Sequence, residues 1–270
     1  MPSALGNDWK QIAAGSDDGF GIKNDDTLWA WGLNDFGQLG ISNFTDSPFP
    51  VRVGSATWTK VCAGFINAAG LQSDGSLWVW GGGPTVGNTT ARPSGNAKNY
   101  SFPVRISPET NWADVAVGFN VVFAVKSDGT LWVWGYEAGL YTGGMTNSIT
   151  LKQIGSDNNW QACFCSGSHY LVLKKKDGSL WRVDSIDTAK PALWKRVDIQ
   201  KEFIAIGSGS GLGAALTRDG EVWTWGKAIG ESVTKFSGSG RNVQIVEPTY
   251  TVIDKPWQLS NVDSADSMAK

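Results

Sequence analysis

Three clusters in this sequence carry residue types that could do chemistry. The first is Cys163-x-Cys165-x-x-x-His169, two thiols with the single histidine of the chain. Thiolate and imidazole are soft ligands of zinc, but the usual pair is Cys-x₂₋₄-Cys and a structural site needs four ligands. No fourth ligand lies nearby, and one histidine excludes a site built on two or three. Residues at i and i+2 share one face of a strand, so the simpler reading is a strand thiol pair beside a loop histidine. The second cluster is Gly207-Ser-Gly-Ser-Gly-Leu-Gly213. A phosphate loop needs a lysine after its glycine and then a helix. Here Ala214-Ala-Leu-Thr-Arg-Asp-Gly220 follows, which reads as a strand entering a hairpin. The third is the acidic pairs Asp17-Asp18 and Asp25-Asp26, read as solvated turn carboxylates. No Gly-x-Ser-x-Gly elbow sits in a strand-turn-helix context. The expectation is a chain with no catalytic, cofactor or metal site, and not an enzyme.

The elements that would position these residues come from a repeat. Asp74-Gly-Ser-Leu-Trp-Val-Trp-Gly81 recurs as Asp128-Gly-Thr-Leu-Trp-Val-Trp-Gly135, with looser copies at 25–32 and 219–226 and a degenerate one at 177–184. The first Trp of each copy falls at 29, 78, 132, 181 and 223, a period of about 50 residues. A second marker lies some twenty residues upstream of each: Trp9, Trp58, Trp112, Trp160 and Phe203. Each leads to a glycine: Gly15, Gly64, Gly118, Gly167 and Gly209. A third marker is a short alternating strand at 50–53, 103–106, 151–154, 194–197 and 250–253.

Asp-Gly between alternating apolar runs signals a hairpin, here expected to be a type I′ turn with positive φ at both central residues. Leu-Trp-x-Trp puts both tryptophans on one strand face by the two-residue period. Four strands per unit at this period describe a propeller blade, and a lone blade cannot bury both faces. The fold class is therefore all-β, a propeller of about five four-stranded blades in a single domain over residues 1–270. The units are 9–53, 58–106, 112–154, 160–197 and 203–253, with 254–270 as a tail. Two alternatives stay open: six blades, because Pro256-Trp-Gln-Leu-Ser-Asn-Val262 resembles the start of another unit, or an open ring completed by a partner. The 250–253 strand is expected to close the ring by completing the first blade. The tryptophans are assigned to packing between blades, and the fixed glycines to crowding near the channel.

Trp31-Gly-Leu-Asn-Asp-Phe-Gly-Gln-Leu-Gly40 resembles the hallmark of the regulator-of-chromosome-condensation repeat. Ala14-Gly15, Ala63-Gly64 and Asp-Gly-x-Leu-Trp-x-Trp-Gly match the rest of that pattern. The resemblance runs from Trp9 to Ile253 and implies a β-propeller. Well-known members have seven repeats, and this chain has five. The Gly-Gln-Leu-Gly half survives once, and copy four has lost its second Trp-Gly. Where the family often carries a histidine after the Ala-Gly, this chain has Asp18, Asn67, Val121, Tyr170 and Leu212. Members exchange guanine nucleotides on small GTPases or bind chromatin, and secreted bacterial relatives inhibit β-lactamases by presenting one face to a protein.

Composition narrows the partners. Net charge is −2 at a pI of about 5.5, without the basic face that nucleic acid requires. No apolar run is long enough to span a membrane as a helix. Three cysteines make no disulfide framework, and the N-terminus lacks a signal-peptide pattern. These features lead to an expected cytoplasmic or virion location. The copies differ most in the connections after Trp-Gly, and variable loops on a rigid scaffold are where recognition concentrates. The candidate partner-binding residues are Asn34, Asp35, Phe36, Phe44, Arg92, Tyr100, Tyr136, Tyr141 and Phe236, with Phe49 among the other loop aromatics. The expected function is a binding or scaffold propeller in a homo- or hetero-oligomeric assembly such as a virion appendage. A nucleotide-exchange module and a glycan-binding propeller are the alternatives.

Overall fold

The computed structural model describes residues 6–82, 99–135, 148–165, 171–183, 194–197, 201–208, 212–218, 220–226 and 253–259. The described residues hold nineteen strands and no helix. Blade one comprises β1 (Trp9–Ala14), β2 (Asp18–Lys23), β3 (Thr27–Gly32) and the first half of β4 (Ser47–Ala63). The second half of β4 opens blade two, followed by β5 (Asn67–Gln72), β6 (Leu77–Gly81) and β7 (Tyr100–Arg105). Blade three is β8 (Trp112–Val117), β9 (Val121–Lys126), β10 (Leu131–Gly135) and β11 (Ser148–Gln153). Blade four is β12 (Trp160–Phe164), β13 (Val172–Lys175), β14 (Leu180–Val183) and β15 (Trp194–Val197). Blade five is β16 (Phe203–Ser208), β17 (Leu212–Thr217), β18 (Val222–Gly226) and β19 (Ile253–Leu259). Every blade is a four-stranded antiparallel meander, as the repeat requires.

Two expectations are corrected here. The last strand does not complete blade one. β19 pairs with β18, Thr224 opposite Trp257, and supplies the outer strand of blade five. Pro256–Leu259, the start of the segment that resembled a sixth unit, is thus part of the fifth blade; 250–252 and 260–262 lie outside the described residues. The hairpins also differ from type I′. Gly75, Gly129, Gly178 and Gly220 have positive φ, but Asp74, Asp128 and Asp177 do not. Gly75 N–H bonds Gln72 O at 2.9 Å, so the left-handed residue follows the turn and forms a bulge. The aspartate is held instead by its own side chain: Oδ1 of Asp25, Asp74, Asp128 and Asp177 accepts both the amide and the hydroxyl of the Ser or Thr two residues on.

That hydroxyl in turn accepts the indole N–H of the first hairpin tryptophan, at 2.9 Å in Trp29 and 2.8 Å in Trp132. A buried indole N–H usually finds a partner, and Ser or Thr supplies it at this position. Blade five departs: Trp223 donates to Glu221 Oε2 at 3.0 Å.

Blades stack through two unlike faces. On one, Phe20, Ile22, Leu28 and Ala30 of blade one meet Trp58, Val61, Ala63 and Trp80 of blade two. The same scheme joins Ala69, Leu71, Leu77 and Val79 to Trp112, Val115 and Trp134, then Phe123, Val125 and Leu131 to Trp160 and Cys163, then Val172 and Leu180 to Phe203 and Ala215. Each blade thus presents an aliphatic face forward and a tryptophan face backward. Inner-strand glycines bring the blades together: a Cβ on Gly15 would lie 2.8 Å from Gly64 O, and one on Gly64 would lie 2.8 Å from Gly118 O.

The end faces are solvated. Ile12, equivalent to the buried Val61, Val115 and Cys163, is 69% exposed, and Trp9, Trp29 and Trp31 are half-buried. At the other end Ala214, equivalent to the buried Phe20, Ala69, Phe123 and Val172, is exposed.

Candidate protein-binding surface

In an up-and-down meander the connections after strands one and three emerge on the same side. The loops after the inner-strand glycine and those after Trp-Gly therefore share one rim, opposite the Asp-Gly hairpins. The described long loop on that rim is 33–46. Asn34 organises it. Its Nδ2 donates to Asn43 O at 2.9 Å and Thr45 O at 3.1 Å, its Oδ1 accepts Leu39 N–H, and its own N–H bonds Asp46. Gln38 Oε1 accepts Phe36 N–H at 2.9 Å, and Gln38 O accepts the Trp80 indole N–H at 2.7 Å. Gly37, at φ +74°, lies against the Ser101 backbone, where any Cβ would collide. The Trp-Gly-x-Asn-x-x-Gly-Gln-Leu-Gly motif is thus a loop that locks blade one onto blade two.

Asn34 is fully buried, so it is not a partner contact; the loop spends its amide on its own backbone. Phe36 is half-buried, Asp35 is exposed, and Phe44 is 51% exposed. Tyr100 is half-buried and packs edge-on with Phe102 at 6.2 Å. Arg92, Tyr136, Tyr141 and Phe236 lie outside the described residues. The loop brings Phe44 and the Ser101 backbone together beside Gly37. Phe102, 51% exposed, was missed in the sequence because it falls inside a strand rather than in a variable loop. Phe49 is 65% exposed, and Phe65, 45% exposed, packs on Phe119 at 5.3 Å on the same rim. Blades one to three thus line one side with solvent-facing aromatic rings, a residue class enriched at protein interfaces.

Part of the clusters with chemical potential lies among the described residues. Cys163 is buried, and burial with the nearby Asp114 carboxylate pushes its thiol pKa well above the ordinary value. Burial also raises Cys62 to about 11, so neither thiol is a thiolate at neutral pH. His169 lies outside the described residues, and the described residues hold no metal-ligating group of three. Burial opposes the charge of Lys60, but its pKa is raised, which we attribute to its ion pair with Asp114 because the flanking thiols are neutral. Asp114 Oδ2 also accepts Cys163 N–H at 2.8 Å, so one carboxylate ties blades two, three and four together.

Other lysines cap the tryptophans. Lys126 Nζ sits 5.0 and 4.1 Å from the Trp112 and Trp132 rings and pairs with Glu109. Lys175 lies 4.6 Å from both Trp160 and Trp181 and pairs with Asp157. Lys23 does the same over Trp9 and Trp29. These indole faces are occupied by the protein's own cations.

Profiles of the regulator of chromosome condensation (RCC1) repeat match residues 25–65 and 9–38. The chain carries RCC1-like repeats folded as a β-propeller. Among solved structures, yeast RCC1 (Prp20) in its complex with Kap60 superposes at a TM-score of 0.70 and 17% identity, over 94% of this chain and 64% of that one. Prp20p from Saccharomyces cerevisiae, described with its binding to Gsp1p and histones, gives 0.70 at 18%, over 94% and 66%. Human WBSCR16 gives 0.66 at 18%, over 94% and 67%. This RCC1-like propeller therefore spans about two thirds of the length of each. No curated protein sequence matches it.

Proposed function

We propose that this chain is a non-enzymatic module that binds a protein partner through the loop-side rim of blades one to three. The observation that carries the reading is the solvent-facing set Phe44, Phe49, Phe65 and Phe102, two of them in loops and two in the outer strands β4 and β7. Pre-formed aromatic anchors bind at low entropic penalty. A place in a larger assembly is supported by the solvated end faces around Ile12 and Ala214.

The test is affinity purification from the native source with wild type and a Phe44→Ser/Phe102→Ser variant. The expected result is a partner retained by wild type and lost by the variant, with thermal melting unchanged. A partner set identical for the two would overturn the reading.

Likeness to Prp20p, which binds Gsp1p, favours an exchange-type module as a second reading. It requires faster release of labelled GDP from a small GTPase, and an unchanged rate would remove it.

A further inference from the structure

Two departures from the repeat meet on the hairpin side, between blades three and four. The fourth-strand residue opposite the first hairpin tryptophan is Arg52, Arg105 and Arg196 in blades one, two and four, but Gln153 in blade three and Gln258 in blade five. In blade two Arg105 reaches over the connection to the next blade, donating from Nε to Ser107 O and from Nη2 to Pro108 O, both at 2.8 Å. The shorter Gln153 donates to Gly155 O at 3.2 Å and leaves the following loop less covered. Two residues earlier on the same strand stand Pro50, Pro103 and Leu151, but Trp194 in blade four. The other blades stack without this indole, so the repeat does not require it.

Trp194 lines a cleft of about 300 Å³ beside the loop that Gln153 covers less, within the range of small-molecule sites. Leu131 and Ile154 supply an apolar floor, Trp181 and Trp194 are half-buried indole walls, and Ser156 and Asp157 are exposed. Trp194 is braced on Trp160, with ring centroids 6.0 Å apart and planes at 46°. Of the two walls, Trp194, which no lysine caps among the described residues, takes a ligand face of C–H groups, and hydroxyl and carboxylate oxygens take hydroxyls along its edge. A cationic ligand meets Lys175, which already occupies the Trp160 and Trp181 faces and neutralises Asp157 at 2.7 Å. An anionic ligand meets the Asp157 carboxylate.

We infer that this cleft binds a neutral pyranose ring of a carbohydrate chain. It lies on the opposite side from the proposed protein-binding rim and does not depend on it.

The test is titration of the full chain with methyl glucoside, methyl galactoside and N-acetylglucosamine, read by tryptophan fluorescence. An array of plant and microbial polysaccharide fragments beside glycoprotein glycans then separates the two sources of such a ring. The expected result is saturable binding of at least one neutral sugar, tightened in its oligosaccharide. Trp194→Leu, which copies the residue of blade three, should weaken binding at least tenfold without changing the melting temperature, and Trp194→Phe should fall between. Phe44→Ser/Phe102→Ser should bind sugar as wild type does, so the two proposals fail separately. Binding by no sugar, equal binding by Trp194→Leu, or a preference for choline would overturn the inference.

Discussion

Blades one to three and blades four to five share a fold but differ in how they are tied to their neighbours. Two residues after the first-strand aromatic stand Gln11, Lys60 and Asp114 in the first three blades, and Ala162 and Ala205 in the last two. Gln11 clasps Val61 of blade two twice, accepting its N–H at 3.3 Å and donating to its O at 2.9 Å. Lys60 pairs with Asp114, and Asp114 accepts from Cys163. An alanine reaches nothing across the gap. Apolar stacking therefore holds every blade, while polar clasps from the first three blades reach as far as blade four. Blade four has also lost its second tryptophan, Val183 standing at that position.

The largest test of this contrast compares equivalent indoles at an internal and a terminal face. Trp80→Ala, fully buried with its N–H satisfied by Gln38 O, should cost about 3–5 kcal/mol in denaturant unfolding. Trp31→Ala, half-buried on the solvated end face, should cost about 1–2 kcal/mol. Equal losses would mean that the end face is covered in solution.

Next, Asp114→Ala strands the Lys60 ammonium and the Cys163 N–H, and should cost about 3 kcal/mol in the same measurement. Replacing both partners, as Lys60→Met/Asp114→Leu, should recover most of that loss. If the double variant were as unstable as the single one, the clasp would not be the cause.

Asp18 sharpens the comparison through pH. Burial first, and Asp17 second, raise its pKa from the ordinary 3.8 to about 7. The folded state then holds a proton that the unfolded state releases. Stability should fall as pH rises from about 4 to 7 and level off above. Asp18→Asn, which copies Asn67 of blade two, should match wild type at pH 4 and melt several degrees higher at pH 8. Parallel melting curves across that range would refute the assignment.

The smallest effect is a gain. Ala162→Gln copies the Gln11 clasp and should reach the Ile206 backbone of blade five, adding about 1 kcal/mol. No gain would show that blades four and five are spaced differently from one and two.

Much of the blade was legible in the sequence. The repeated Asp-Gly-x-Leu-Trp-x-Trp-Gly encodes a hairpin and the face its tryptophans share, because side-chain alternation along a strand is a local rule. The turn class was misread because the Asp side chain, not only the glycine, sets the turn, and Asp–Ser bonding competes with the type I′ geometry. Of the candidate surface, Phe44 was visible as an aromatic in a variable loop. Asn34 read as a contact because polar loop residues usually face solvent, and its burial depends on bonds to Asn43 and Thr45 that spacing does not reveal.

The sequence by itself determined five units, their four strands and the residues that stack, since each follows from periods of two and about fifty. Tertiary structure alone decided where the last strand pairs, which end faces meet water, which tryptophans their own lysines cap, and that Trp194 of blade four faces Leu131 and Ile154 of blade three across one cleft. Those relations join residues that no single strand or hairpin brings together, and they are set by how strands and blades land on one another.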